Sequence, residues 1–141
     1  MQTDQQAAIA DQYGVLIGGT ERDASSGETI DVFDPATGNQ LTSVAAATEG
    51  DVNEAVDVAQ DGFETWSGYT PAKRCRILND VGRAIRDEKE RLARIETLEN
   101  GKPLSEARGQ IERAARHCEY YGGLADKIEG ESIPLDDDHV D

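Results

Sequence analysis

Lysine is scarce in this chain of 141 residues: four lysines (Lys73, Lys89, Lys102, Lys127) stand beside ten arginines and 29 aspartates and glutamates, for a formal charge of -15. A surface this acidic disfavours binding to nucleic-acid backbone or to an anionic membrane. Long apolar runs are missing too, and nothing approaches the roughly 18 residues a membrane span needs. The opening Met1-Gln2-Thr3-Asp4-Gln5-Gln6 has no basic stretch and does not read as a signal peptide. Two cysteines make no disulfide framework, and their helical setting points to reduced thiols in a cytoplasm. Of the two histidines, His139 has no cysteine or second histidine near it, so no zinc pattern forms.

The acids are spread over the whole chain. A dispersed acidic surface poor in lysine suits solubility in concentrated salt, where self-repulsion is screened, and a halophilic protein is expected. An acidic domain of an ordinary cytoplasm is the plainer alternative.

Residues 1–12 lack an apolar period and read as a flexible arm. Tyr13 to Gly18 reads as a strand, Gly19 to Thr29 as a loop, and Ile30 to Asp34 as a half-buried alternating strand. Pro35 to Asn39 is turn chemistry, and Leu41 to Val44 returns as a strand, giving a small antiparallel meander. Gly14, Gly18 and Gly19 have the wrong spacing for a dinucleotide loop and no helix after them. Thr48, with Asp51 three residues on, opens a first helix whose stripe is Val52, Ala55, Val56, Ala59, Phe63 and Trp66. Thr70-Pro71 opens a second, of about 28 residues and about 42 Å. Its stripe runs from Cys75 and Leu78 to Ile95 and Leu98. Gly101 and Pro103 close it, and a third helix runs from about Ser105 to Tyr121 with Ala107, Ile111, Ala114, Ala115 and Cys118 inward; Gly122-Gly123 weakens its end, with Leu124 and Ala125 able to add a last turn. Ile128 to Leu135 reads as extended.

Three amphipathic helices carry more apolar stripe than so few strands can cover. Either the helices bundle among themselves or the sheet they suit lies elsewhere. No catalytic centre emerges from the residues. Cys75 has Lys73, Arg74 and Arg76 beside it but falls on the apolar stripe, where an inert buried thiol is the better reading. His117 and Cys118 are helix neighbours that point about 100° apart and cannot act as a pair. Trp66 reads as a packing anchor, and Tyr120-Tyr121 either line a pocket or cap the helical layer.

An ordered set of motifs does carry information. Asp34-Pro35-Ala36-Thr37-Gly38, the helix ending in Trp66, Ile77-Leu78, Glu96-Thr97-Leu98-Glu99-Asn100-Gly101-Lys102-Pro103, Tyr120 to Lys127 and Gly130-Glu131-Ser132-Ile133-Pro134 follow one another. Together they resemble the N-terminal portion of the NAD(P)-dependent aldehyde dehydrogenase superfamily over about residues 13–135. The resemblance implies an α/β fold, incomplete here, in which the meander and helices cover a nucleotide-binding sheet. Residues 13–127 would be the N-terminal part of the NAD(P)-binding domain, and 128–141 the start of the bridging segment used in oligomerisation.

Family members attack an aldehyde with a cysteine thiolate, pass hydride to NAD or NADP and hydrolyse the thioester to a carboxylic acid. The positions matching the nucleophile, the general base and the cofactor loops would lie after residue 141. The chain alone is therefore expected to bind no cofactor and to be inactive, with the remainder of the subunit as its partner and a homo-oligomer as the family's assembly. By the same resemblance Glu112, Arg113 and Arg116 would border the substrate tunnel. A monovalent cation would be held by backbone oxygens of Val32 and Phe33 and by the Glu99 carboxylate. A stand-alone acidic helical domain that binds a protein partner is the competing expectation.

Overall fold

The computed structural model of the chain describes residues 9–127, 130, 134–136 and 139–140. The expected strand from Tyr13 to Gly18 is split into β1 (Gln12–Tyr13) and β2 (Val15–Ile17). The split falls at Gly14, where any side chain would collide with the Arg22 carbonyl. The expected loop after Gly18 is, over its first residues, β3 (Thr20–Arg22), antiparallel to β2 with Ile17 opposite Thr20. Gly18 and Gly19, at φ 59° and 82°, form the two-residue turn, which needs left-handed backbone at both positions. β3 is exposed throughout, so it carries no apolar alternation by which periodicity could find it.

β4 (Thr29–Phe33) and β5 (Gln40–Ala45) pair antiparallel. The turn between them is built by Asp34. Its buried carboxylate accepts the Ala36 N–H at 2.8 Å and the Thr37 hydroxyl at 2.9 Å, and Gly38 supplies a φ of 72°. β1 lies along the other side of β5 in parallel, fixed by the Thr42 hydroxyl donating to the Ala10 carbonyl at 2.8 Å. The sheet order is β1-β5-β4 and its pairing is mixed, where a purely antiparallel meander was expected. The parallel pair arises because the β2–β3 hairpin leaves this sheet and lets the chain re-enter it from the far side.

α1 (Glu49–Ser67) starts at Thr48 with a full capping box. The Asp51 carboxylate accepts from the Thr48 N–H (2.8 Å) and from the N–H and hydroxyl of Ser25 (both 3.1 Å), tying the loop after β3 to the helix start. These donors hold its pKa down to about 2.

The expected helix of about 28 residues is two helices, α2 (Pro71–Asp87) and α3 (Lys89–Asn100), giving, with α4 (Leu104–Leu124), four helices among the described residues. The break is at Glu88, with φ -91° and ψ 7°. Glu88 and Lys89 occupy the stretch where the stripe between Ile85 and Leu92 calls for an apolar residue. Turning the chain there lets both helices lie on α4.

The α2–α4 approach is close because it uses glycine and alanine. A Cβ on Gly82 would stand 2.9 Å from the Ala115 carbonyl oxygen, and one on Gly122 would stand 3.2 Å from that of Cys75. α4 runs through Gly122-Gly123 to Leu124, so the last turn that the sequence left open after Tyr121 is formed. Charges flank the seam. Arg86 donates to Glu112 (3.1 Å) and Glu119 (2.7 Å), Lys89 to Glu112 (3.1 Å), and Arg108 to Glu90 (2.7 Å).

Beyond α4, β6 (Pro134–Asp136) and β7 (His139–Val140) pair antiparallel. Of the expected extended segment 128–135, Ile128, Glu129 and Glu131 to Ile133 lie outside the described residues. Among the described residues, no helix is long and apolar enough to cross a membrane.

Candidate functional site

The described chain has little interior of its own. Its buried apolar residues are Ala24, Ala93, Ala107 and Ala115, and no large side chain is fully buried among the described residues. Val56 and Phe63 of α1 are 61% and 59% exposed, and Leu16 of the hairpin is 70% exposed. α1 rests on the hairpin through another side. Arg22 pairs with Glu54, Asp51 grips Ser25, and Val58 reaches Gly18. At 100° per residue, Val52, Val56 and Phe63 then point away from the hairpin that α1 rests on. The expected imbalance of stripe over sheet is therefore present, and α1 shows it most plainly.

α3 faces the β1-β5-β4 sheet across a cavity of about 210 Å³. Arg91, Ile95 and Glu99, spaced at i, i+4 and i+8, form its helical wall; Val32, Leu41 and Val44 are among the residues on the strand side. The fold thus brings Val32 and Glu99, two of the three expected cation ligands, to one cavity. Phe33, the third, is 53% exposed and does not line it.

The fit to a cation is partial. Glu99 is the one carboxylate in a mainly hydrocarbon lining, the Thr42 hydroxyl already donates to backbone oxygens, and Arg91 brings a positive charge to the same wall. Among the described residues no group of three histidine, cysteine or acidic side chains forms a metal cluster. Ile95 was expected on the apolar stripe, whereas Arg91 was not singled out for this wall, although its i, i+8 spacing from Glu99 would have found it.

The corner after α3 closes on the β4–β5 turn. Gly101, at φ 77°, lies so near Pro35 that a Cβ would be 3.1 Å from the proline ring. Lys102 braces the corner by donating to Glu96 at 2.6 Å and to Gln110. Two of the motifs that carry the resemblance therefore touch in space.

Glu112, Arg113 and Arg116, expected at a tunnel mouth, share α4 without forming a site of their own. Glu112 is engaged by Lys89 and Arg86, which lower its pKa, while Arg113 and Arg116 are exposed. None of the three lines the cavity beside α3. Cys75 and Cys118 are free, half-buried thiols, and Asn79 Nδ2 stands 3.3 Å from the Cys75 sulfur. Trp66 packs edge-on to Tyr69 at 6.2 Å, while Tyr120 and Tyr121 are both 62% exposed.

The start of α1 is filled by the Asp51 carboxylate, and that of α2 carries Thr70 and Pro71. The early glycines make a hairpin. These residues do not form a pyrophosphate cradle, which needs free N–H groups at a helix start behind a glycine loop.

Helices with one unmet apolar side, set beside a small exposed sheet, define an incomplete α/β unit. The chain belongs to the aldehyde dehydrogenase family: the family's model matches residues 22–141. The fold corresponds to part of that family's nucleotide-binding domain. It is similar to PnpE, solved in complex with nicotinamide adenine dinucleotide, at 39% identity and a TM-score of 0.82, covering 94% of this chain and 27% of that one. It is also similar to an NAD-dependent aldehyde dehydrogenase from Sinorhizobium meliloti at 35% identity and a TM-score of 0.85, with shares of 94% and 27%. A variant aldehyde dehydrogenase from Bacillus cereus matches at 31% identity and a TM-score of 0.87, with shares of 97% and 28%. The chain thus spans about a quarter of the length of these relatives.

Proposed function

We propose that this chain forms the N-terminal part of an NAD(P)-dependent aldehyde dehydrogenase subunit, an enzyme that oxidises an aldehyde to a carboxylic acid, and that it has no such activity by itself. The observation that carries the reading is the apolar side of α1, where Val52, Val56 and Phe63 are more than half exposed among the described residues. Burying three such side chains is worth about 1.5–3 kcal/mol each, enough to hold a segment against the rest of a subunit. In this reading the remaining part of the subunit supplies the nucleophile, the base and the cofactor seat, and the whole assembles as a homo-oligomer.

The spread of acids with four lysines supports a cytoplasmic protein adapted to high salt. Val32, Phe33 and Glu99 would hold at most a weak monovalent cation, given how few oxygens they offer. Glu112, Arg113 and Arg116 would approach the substrate entrance once the subunit is whole.

The test is a dehydrogenase assay in high salt, with the chain alone and with the chain joined in place of the matching part of the Sinorhizobium meliloti enzyme. The reading expects no turnover alone and aldehyde-dependent reduction of NAD or NADP in the chimera. Turnover by the chain alone would overturn it. A chimera that fails to assemble, beside an isolated chain that folds cooperatively and captures a protein partner, would favour the stand-alone interaction domain.

A further inference from the structure

The sequence contains one asparagine followed by glycine, Asn100-Gly101, and the pair stands at the corner where α3 ends. A glycine nitrogen has no side chain to shield it, so it can attack the side-chain carbonyl carbon of the asparagine before it. The other asparagines, Asn39, Asn53 and Asn79, are followed by Gln40, Glu54 and Asp80. Asn100 and Gly101 are both exposed. The fold opposes the attack at one point. The Gly101 N–H donates to the Thr97 carbonyl at 2.9 Å, and Asn100, as the last residue of the helix, has a backbone that keeps the Gly101 nitrogen away from its side chain.

The turn that must open is underpacked. It borders a cavity of about 110 Å³ lined by Arg94, Thr97, Leu98 and Leu104. The Thr97 hydroxyl oxygen is buried and has no hydrogen-bond partner, the one side-chain oxygen or nitrogen among the described residues in that state. Opening the turn admits water to that hydroxyl, which offsets part of the cost of opening. Helix ends open at low free energy in any case. On the far side of Gly101, Lys102 holds the corner shut by donating to Glu96 and Gln110.

We propose that Asn100 is a modification site, deamidating spontaneously at a rate set by the opening of the last turn of α3. The Gly101 nitrogen, freed from Thr97, loses its proton to solvent base and bonds to the Asn100 side-chain carbon. The side-chain amide nitrogen leaves as ammonia, and a succinimide ring remains. Water then opens the ring at either carbonyl, giving aspartate or isoaspartate; no oxidant or reductant takes part. Either product adds a negative charge beside the C-terminal carbonyls of α3, where the helix dipole disfavours it. Isoaspartate also lengthens the main chain by one methylene, which shifts Gly101 from its place against Pro35. The proposal concerns the chain's own chemistry and is independent of the proposed function.

The test incubates the full chain in high salt at mildly alkaline pH, with and without urea, and maps its peptides by mass spectrometry. Exchange of an amide nitrogen for an oxygen marks conversion, and labelling by an isoaspartyl methyltransferase separates isoaspartate from aspartate. Conversion is expected at Asn100 ahead of Asn39, Asn53 and Asn79, and roughly tenfold faster once urea removes the fold. Without urea, Lys102→Ala should speed it by deleting the brace. Thr97→Val, which removes the unmet hydroxyl, should slow it. Conversion at Asn100 no faster than at the other three asparagines would overturn the site. Equal rates with and without urea, or no response to either substitution, would overturn the control by the turn.

Discussion

Replacing Gly82 with alanine sets two terms of opposite sign against each other. Alanine is favoured over glycine inside a helix by about 1 kcal/mol. At Gly82, however, the new Cβ would stand 2.9 Å from the Ala115 carbonyl oxygen and 3.2 Å from Glu119 Cγ. The Glu119 side chain can swing aside, but the carbonyl belongs to the backbone of α4. The two helices must therefore separate by a few tenths of an ångström along their closest seam. Overpacking of this kind costs about 1–3 kcal/mol and also loosens neighbouring contacts. The net expectation is destabilisation by about 1 kcal/mol.

Gly62 provides the control, since it lies inside α1 with nothing within 4 Å of its would-be Cβ. There the propensity term acts alone and Gly62→Ala should stabilise by about 0.5–1 kcal/mol. Urea unfolding followed by circular dichroism at 222 nm reads both variants. A Gly82→Ala protein at least as stable as the parent would refute the reasoning, because it would mean the α2–α4 approach is looser than the structure shows.

Other outcomes follow from the same contacts. Asp51 has a folded pKa of about 2 against 3.8 in the unfolded chain. Its contribution is thus complete above pH 3.8 and is lost as pH falls toward 2; Asp51→Asn should remove that acid-dependent fall from a helicity titration. Thr48→Ala, which deletes the cap of α1, should cost about 1 kcal/mol by urea unfolding. Phe63→Ser should leave the isolated chain's unfolding midpoint within about 0.5 kcal/mol of the parent, as for a surface change, yet destabilise the chimera by about 2 kcal/mol or more; equal effects in both would refute the open-side reading. Potassium should raise the chimera's melting temperature less in Glu99→Gln than in the parent, and a parent indifferent to potassium would remove the cation proposal.

Elements that announce themselves through local chemistry were legible in the sequence. Thr48 with Asp51, Thr70 with Pro71, and Gly101 with Pro103 mark helix ends because each satisfies or stops backbone hydrogen bonding at a fixed offset. Asp34 to Gly38 marks a turn for the same reason. β3 was not legible, because Thr20-Glu21-Arg22 is a strand made by pairing and by two left-handed glycines, not by burial. The break at Glu88 was readable only as a gap in the stripe, which a propensity for helix on both sides conceals. The cavities were not legible at all. Val32 and Glu99, or Thr97 and Leu104, come together through the packing of separate elements, and the resemblance named Val32 and Glu99 without showing what surrounds them.

The contact of Gly101 with Pro35 has a mechanical consequence. A proline ring has no rotamer by which to retreat, so a side chain in place of Gly101 would press on it directly, besides straining a backbone held at φ 77°. The end of α3 and the β4–β5 turn are therefore tied through this one position, and a change at Gly101 would be felt in the strand layer as well as at the helix end.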